Sequence, residues 1–329
     1  MVVAWFFISL FQPFAGGGEG QVRVLVPKGS SVGHIGDLLE NRGVVKSSFF
    51  FNLRATLSGR RGDLKPGSYA LKRDMSYGAA LDKLTSGPPS NIVRLTIPEG
   101  RSRREVSRLV GDSLSGDYLA ATRSSTLLNA RRYGAAHARD LEGFLFPATY
   151  QLRRGRSVAT LVEQQLAAFK ERFRAIDFRY ARRKNLTPYD VLIIASMVER
   201  EAQLPRERRL IASVIYNRLH AHIPLGIDAT IRFATNNWQH PLTRSALASS
   251  SPYNTRRHVG LPPGPIGSPG VASIEAAARP ARTRFLYYVV KPFRCGEHDF
   301  SRTSAEHERK VARYNRERAR RGGKSPENC

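Results

Sequence analysis

The stretch TPYDVLIIASMVEREA, residues 187–202, constrains the fold more than any other part of the chain. Thr187 is followed by Pro188, and Asp190 stands three residues after the threonine. That is a capping-box pattern with proline at the first helical position, and it predicts a helix from about Pro188 to Ala202. On a wheel of about 100° per residue, Ala202, Ala195, Ile194 and Val198 gather around Val191, with Met197 beyond Ile194. Glu201 falls inside this apolar arc, whereas Glu199 falls on the opposite flank near Leu192 and Ser196. Roughly 200° separates the two carboxylates, so they cannot serve one cleft as a pair. One is expected among apolar neighbours, the other towards solvent or a basic partner.

A carboxyl packed against aliphatic side chains loses the hydration of its charged form, and its pKa rises. A glutamate tuned this way donates a proton near neutral pH, as a general acid must. The residues alone leave a second reading open, a buried Glu201 neutralised by one of the chain's many arginines.

The chain has 329 residues, 41% of them hydrophobic, enough for two domains and a substantial core. Lysine and arginine number 53 against 27 acidic residues, a formal charge of +26. The excess fits an anionic partner, whether nucleic acid, lipid surface or acidic polymer, but it fits a general compositional bias towards arginine equally well. It is spread along the chain, and there is no recognisable reading helix or base-stacking signature, which argues against a nucleic-acid binder. Cys295 and Cys329 are the only cysteines, and the histidines form no metal-binding spacing, so neither a metal nor a disulfide framework is implied.

The first residues, MVVAWFFISLFQPFAGGGEG, are apolar for about 14 positions before Gly16. That is short of the roughly 20 needed to span a bilayer. An anchor whose start lies further upstream is favoured over an atypical signal peptide or an interfacial segment, because GGGEGQ reads as a tether. A buried strand is the remaining alternative.

A strand–turn–serine–helix unit recurs in VPKGSSVGHIGDLL, ALKRDMSYGAALDKL and TIPEGRSRREVSRLV. Ser31, Ser76 and Ser102 suit helix N-caps, and Glu105 completes a capping box with Ser102. With a further helix in SSFFFNLRATLSG and a strand in KPGSYALK, residues 21–88 read as a small α+β module, glycan-binding or merely structural, ended by SGPPSN. A larger α+β segment follows from Ile92. Its strand candidates are NIVRLTIP, PATYQL and RFLYYVV; its helices include SVATLVEQQLAAFKERF and PRERRLIASVIYNRLHA. SSSPYNTRRHVGLPPGPIGSPG is too long for a simple connector and reads as a stiff functional wall. RERARRGGKSPENC reads as a disordered tail.

LEGFLFPATYQL, IIASMVEREA, VIYNRL, YNT…GLPPGPIGSPG and HDFSRTSAEHERKV together resemble, in that order, the YceG-like endolytic murein transglycosylases, the MltG family. The resemblance covers about residues 21–314. It implies an α+β fold with a membrane anchor at 1–18, a LysM-like module at 21–88, a catalytic domain at 92–314 and a disordered basic tail at 315–329. It also implies location at the inner membrane with the bulk in the periplasm. Peptidoglycan strands would be the substrate and peptidoglycan synthases the partners, with no cofactor and no nucleic acid.

The second glutamate of the family motif falls on Glu201, which the wheel had singled out independently. By resemblance, Asp228, Thr230, Tyr253, Asn254, Gly260, Leu261, Pro262, Pro263 and Gly264 form the substrate cleft. From the residues alone, Asn254 serves equally well to satisfy loop backbone groups. Glu142 suits a cap or an arginine pair, and Phe144 and Phe146 suit the core. The chain departs from the family at Ala148, Gly226, Ala229, Arg256 and at Ala202 after the motif, which touches fine substrate contacts and leaves the acid in place. A catalytically dead glycan-binding protein of the same fold is the main alternative.

Overall fold

In the computed structural model, residues 19–88, 92–153, 155–294 and 296–323 are described. The proposed anchor at 1–18 lies outside them, and among them no helix is long and apolar enough to cross a membrane. The chain divides into two units, residues 1–91 and 92–329.

In the first unit, β1 (Glu19–Val26) pairs antiparallel with β2 (Gly67–Arg73), Val24 opposite Tyr69 and Val22 opposite Leu71. Between them lie α1 (Val32–Asn41) and α2 (Ser48–Leu57), and α3 (Tyr77–Ser86) follows β2. Period-two alternation turns Val24, Val26, Tyr69 and Leu71 inwards against Ile35, Leu39, Phe51 and Leu81. Ser31, Ser47 and Ser76 each accept a backbone N–H of their helix's first turn, so two of the three expected serine caps are found here.

The second unit opens with β3 (Ile92–Thr96), α4 (Arg103–Val110) and the short α5 (Tyr118–Ala121). Ser102 caps α4 in a complete capping box with Glu105. Then come β4 (Thr149–Arg153), antiparallel to β3, α6 (Val158–Arg174), α7 (Arg179–Arg182) and α8 (Pro188–Glu201). The remaining elements are α9 (Arg208–His220), α10 (Asp228–Thr235), α11 (Arg244–Leu247) and α12 (Val271–Ala278), then the β5 (Tyr287–Val290) and β6 (His298–Ser301) hairpin, and α13 (Ser304–Arg320).

Helix α8 is the hub. Thr187 and Asp190 make the expected capping box, and Ala202 is the C-cap. The wheel, however, understates its burial: every residue from Val191 to Val198 is buried, Ser196 included. A helix apolar nearly all round belongs in the centre of a core, and α9 and α12 pack against α8. Phe144 stacks on Tyr189 at 5.6 Å between ring centroids, and its own ring is fully buried, as expected of a core residue.

The reading of a disordered tail from residue 315 is corrected, because α13 runs to Arg320. Its charges alternate at helical spacing, with Ser304 donating to Glu308 at 2.8 Å and Arg320 bridged to Glu317 at 3.0 Å. Such pairs support a helix with no fully buried residue. It rests on the β5–β6 hairpin, where His307 stacks on Tyr287 at 5.1 Å and Lys310 donates to Phe300 O at 2.6 Å. Residues 324–329 lie outside the described residues.

Candidate active site

Helix α8 ends at Glu201 because Ala202 turns to an extended conformation, φ −79° and ψ 111°. The Glu201 carboxyl therefore leaves the helix at its last turn, while the preceding turns stay locked in the core. Three elements meet it. Tyr288 on β5 donates its phenolic hydrogen to Glu201 Oε2 at 3.0 Å. The N-terminus of α10 turns the Ala229 N–H towards the carboxyl, and His298 on β6 and Asp228 act on it through their charges.

Burial raises the Glu201 pKa above the ordinary carboxyl value, and the negative charge of Asp228 adds to the rise; the Tyr288 hydrogen bond, His298 and the Ala229 N–H oppose it. Among the described residues no arginine or lysine forms an ion pair with Glu201, so the alternative of an arginine-neutralised carboxylate is not what the fold builds. The same surroundings hold the Tyr288 phenol far above its ordinary pKa, through burial first and the Glu201 charge second. Tyr288 is thus a hydrogen-bond donor throughout the neutral range.

Tyr288 is positioned by the VIYNRL segment. Asn217 donates to the carbonyls of Thr283 and Phe285 at 3.1 and 2.9 Å, and Arg218 donates to Leu286 O at 2.6 Å. These bonds fasten the approach to β5 along α9. On the other strand, His298 is fixed by Glu207, which accepts its backbone N–H at 2.9 Å and contacts Nδ1 at 2.7 Å. Glu207 and His298 are both buried, and the imidazole meets the Tyr288 ring edge-on at 5.3 Å.

Glu199 points elsewhere, as the wheel required. Its Oε2 accepts the Gly270 N–H at 2.9 Å, and its Oε1 lies 3.7 Å from Arg208. It fastens α8 to the start of α12, and of the two expectations for it, the basic partner is the one realised.

The other sequence-derived candidates separate into two groups. Asp228 is half-exposed at the first turn of α10 and paired with Arg256 at 2.7 Å. Tyr253 is partly buried with its ring 4.9 Å from Phe233, and burial pushes its phenol up to about 12. Gly260 and Leu261 are partly exposed and Pro263 is exposed. These positions can reach a ligand.

Asn254 and Thr230 cannot. Asn254 is fully buried; its amide donates to Leu247 O and Ser249 O, and its Oδ1 accepts from Arg256 N. The even choice left by the sequence resolves to scaffolding, because no polar atom of Asn254 is left over for a sugar. Thr230 is likewise fully buried, its hydroxyl shared between Ile227 O and Thr255. It ties the YNT loop to α10 and is corrected from a contact to a brace.

Pro262 and Gly264 are buried as well. Ile266 N–H donates to Ser196 Oγ at 3.0 Å, gripping α8 roughly 140° around from Glu201. The buried end of this loop therefore braces the helix. Gly143 permits that brace: it has φ +83°, and a Cβ there would come 2.6 Å from Pro265. Glu142 completes the local scaffold by accepting the Arg103 N–H at the start of α4, which makes it a cap.

Tyr288, His298 and Glu207 were missed as site residues. RFLYYVV announced only a strand, HDFS only a family motif, and nothing local marks Glu207.

A desolvated carboxyl with a phenol donor and a helix N-terminus beside it has the chemistry a general acid requires. The YceG-like family model matches residues 24–313, and the chain belongs to the YceG-like family. It is 31% identical over 333 residues to an endolytic murein transglycosylase of Streptococcus pneumoniae, covering 92% of this chain and 60% of that relative. The chain therefore spans about three-fifths of the pneumococcal relative's length. An endolytic murein transglycosylase of Bacillus subtilis is 30% identical over 323 residues, covering 93% of this chain and 88% of the relative. Among solved structures, a YceG-like protein of Listeria monocytogenes superposes with a TM-score of 0.58 at 26% identity, covering 89% of this chain and 99% of that one.

Proposed function

We propose that the chain is a lytic transglycosylase of peptidoglycan, with Glu201 acting first as general acid and then as general base. The observation that carries the reading is Glu201 itself, a desolvated carboxyl held by a phenol and in no ion pair with an arginine among the described residues. The relatives' printed activity supports the reaction class.

Ordinary glycosidases need two carboxyl groups. Glu199, committed to Gly270 and Arg208, is not the second. A reaction whose nucleophile lies within the substrate can proceed with one. Protonated Glu201 gives its hydrogen to the oxygen linking N-acetylmuramic acid to N-acetylglucosamine as the C1–O bond breaks. The carboxylate then takes the proton from the muramic acid 6-hydroxyl as O6 bonds to C1 and closes a 1,6-anhydro ring. No water is consumed, and Glu201 ends protonated as it began. Between the two transfers, the Tyr288 hydroxyl and the N-terminus of α10 stabilise the charged form. Holding the 6-hydroxyl against C1 supplies much of the rate.

In this reading Asp228, Tyr253 and the exposed positions of the 260–263 loop line the glycan. Residues 21–88 act as a LysM-like glycan-binding module and residues 1–18 anchor the chain in the inner membrane. The bulk lies in the periplasm, next to peptidoglycan synthases. Cutting is internal to strands, in keeping with the relatives' name.

Mass analysis of murein digested by purified protein tests the chemistry, because anhydro-ended fragments weigh one water less than hydrolysed ones. Anhydro products are expected from the wild type and none above background from Glu201→Gln. Hydrolysed ends, or equal release by the variant, would overturn the assignment.

A further inference from the structure

Two arginine-rich stretches, DFRYARRK (177–184) and RPARTR (279–284), lie about a hundred residues apart in sequence. The fold brings them together around two adjoining clefts of about 600 and 390 Å³, which share Tyr180, Pro280 and Arg282. Among the described residues, eight cationic side chains line the pair of clefts against a single carboxylate, Asp177. That carboxylate is already taken by Arg179 at 2.8 Å. Among the described residues, Arg183, Lys184, Arg282, Arg284 and Arg302 are in no ion pair.

The presenting backbone is rigid. Residues 279–286 form neither helix nor strand, yet they are fastened along α9. Ala281 N–H donates to Arg209 O at 2.9 Å, the Ser213 and Thr283 hydroxyls are 2.7 Å apart, and Asn217 holds the Thr283 and Phe285 carbonyls. With Thr283 turned to α9, Arg282 and Arg284 both line the cleft and remain exposed. Uncompensated like charge destabilises a compact fold, and here it is gathered on a braced segment. A general bias towards arginine would scatter it.

We propose that this double cleft binds the phosphate groups of anionic lipid headgroups, holding the unit formed by residues 92–329 against a phospholipid surface. Guanidinium forks match phosphate oxygens in a way that ammonium groups do not, and seven of the eight cations are arginine. Two adjoining clefts suit phosphates presented side by side, as a bilayer presents them; a small soluble anion would fill only one. Basic residues at such a surface contribute roughly additively and act within about a Debye length. The inference draws on the proposed anchor only for proximity to a membrane, and it does not involve Glu201.

The test uses the full chain with neutral phosphatidylcholine vesicles, with vesicles containing phosphatidylglycerol, and with free glycerol phosphate at matched phosphate concentration. Arginines are labelled with phenylglyoxal and mapped by mass spectrometry. Labelling of Arg183, Arg282 and Arg284 should slow about tenfold on the anionic vesicles relative to the neutral ones. Arg123 and Arg313, exposed in the same unit and lining neither cleft, should label equally on both. In the double variant R282E/R284E, Arg183 should lose its protection; in R123E/R313E it should keep it. Equal labelling on both vesicle types would overturn the proposal. So would protection by free glycerol phosphate as strong as by vesicles, or uniform slowing at every arginine. Murein cleavage in solution is expected unchanged in R282E/R284E, so failure of the lipid surface and failure of the catalytic reading can be told apart.

Discussion

Two regions of the second unit withdraw carboxyl groups from water, and they do it to opposite ends. At the start of α4, Glu105 accepts hydrogen bonds from Ser102 N–H, Arg101 and Arg200, and Arg200 in turn stacks on Trp238 at 3.6 Å. Its pKa is lowered in spite of burial, because the backbone N–H and the two guanidinium groups together outweigh the desolvation. At the end of α8, Glu201 has a phenol and a helix N-terminus but, among the described residues, no cation in an ion pair, and its pKa is raised. Burial is common to both. The partners decide which carboxyl is a strut and which can hand over a proton.

The sharpest way to break that contrast is to neutralise each in turn. Glu201→Gln should lower the rate of anhydro-product release on the order of 10³-fold, with no loss of thermal stability, since glutamine resembles the protonated form. Glu105→Gln should do the reverse. It leaves Arg200 buried without its charge partner, at a cost of about 3 kcal/mol in urea unfolding, while the rate per folded molecule changes far less.

Glu142 is intermediate, a buried cap whose pKa is raised to about 8, by burial first, against the opposing Arg103 N–H. The folded state holds this proton after the unfolded chain has released it. Stability is therefore full below the ordinary value of 4.5 and declines as pH rises towards about 8. Unfolding curves across that window should show the decline, on the order of a few kcal/mol, and Glu142→Gln should flatten it.

Tyr288→Phe removes a hydrogen bond that favours ionised Glu201. The Glu201 pKa should rise further, moving the alkaline limb of the pH–rate profile upwards while the maximal rate falls about tenfold. An unmoved limb would assign Tyr288 to packing alone. The smallest effect is expected at Arg256→Ala. The Arg256–Asp228 pair is half-exposed on both sides, so stability should change by less than about 0.5 kcal/mol. Any change in KM would report Asp228 at the glycan.

Local chemistry was legible in the sequence where local bonds decide the outcome. The Thr187–Asp190 and Ser102–Glu105 boxes, the Ser31 and Ser76 caps and the separation of Glu199 from Glu201 all follow from spacing within one helix. The surroundings of Glu201 were not legible, because Tyr288 stands 87 residues away and the Glu207–His298 contact spans 91. No periodicity encodes a pairing of that length. The wheel erred in the same way over α8, since it assumes one wet face and tertiary packing left almost none. Asn254 and Thr230 had the residue types of sugar contacts, but their polar atoms are consumed by the loops they hold.

The most direct measurement is the protonation of Glu201 itself, followed by NMR of glutamate carboxyl carbons or infrared difference spectra, with Glu201→Gln supplying the assignment. The account predicts a carboxyl that stays protonated above the titration of the exposed glutamates and shifts higher still in Tyr288→Phe. A Glu201 that ionises together with the exposed glutamates, or below them, would contradict it.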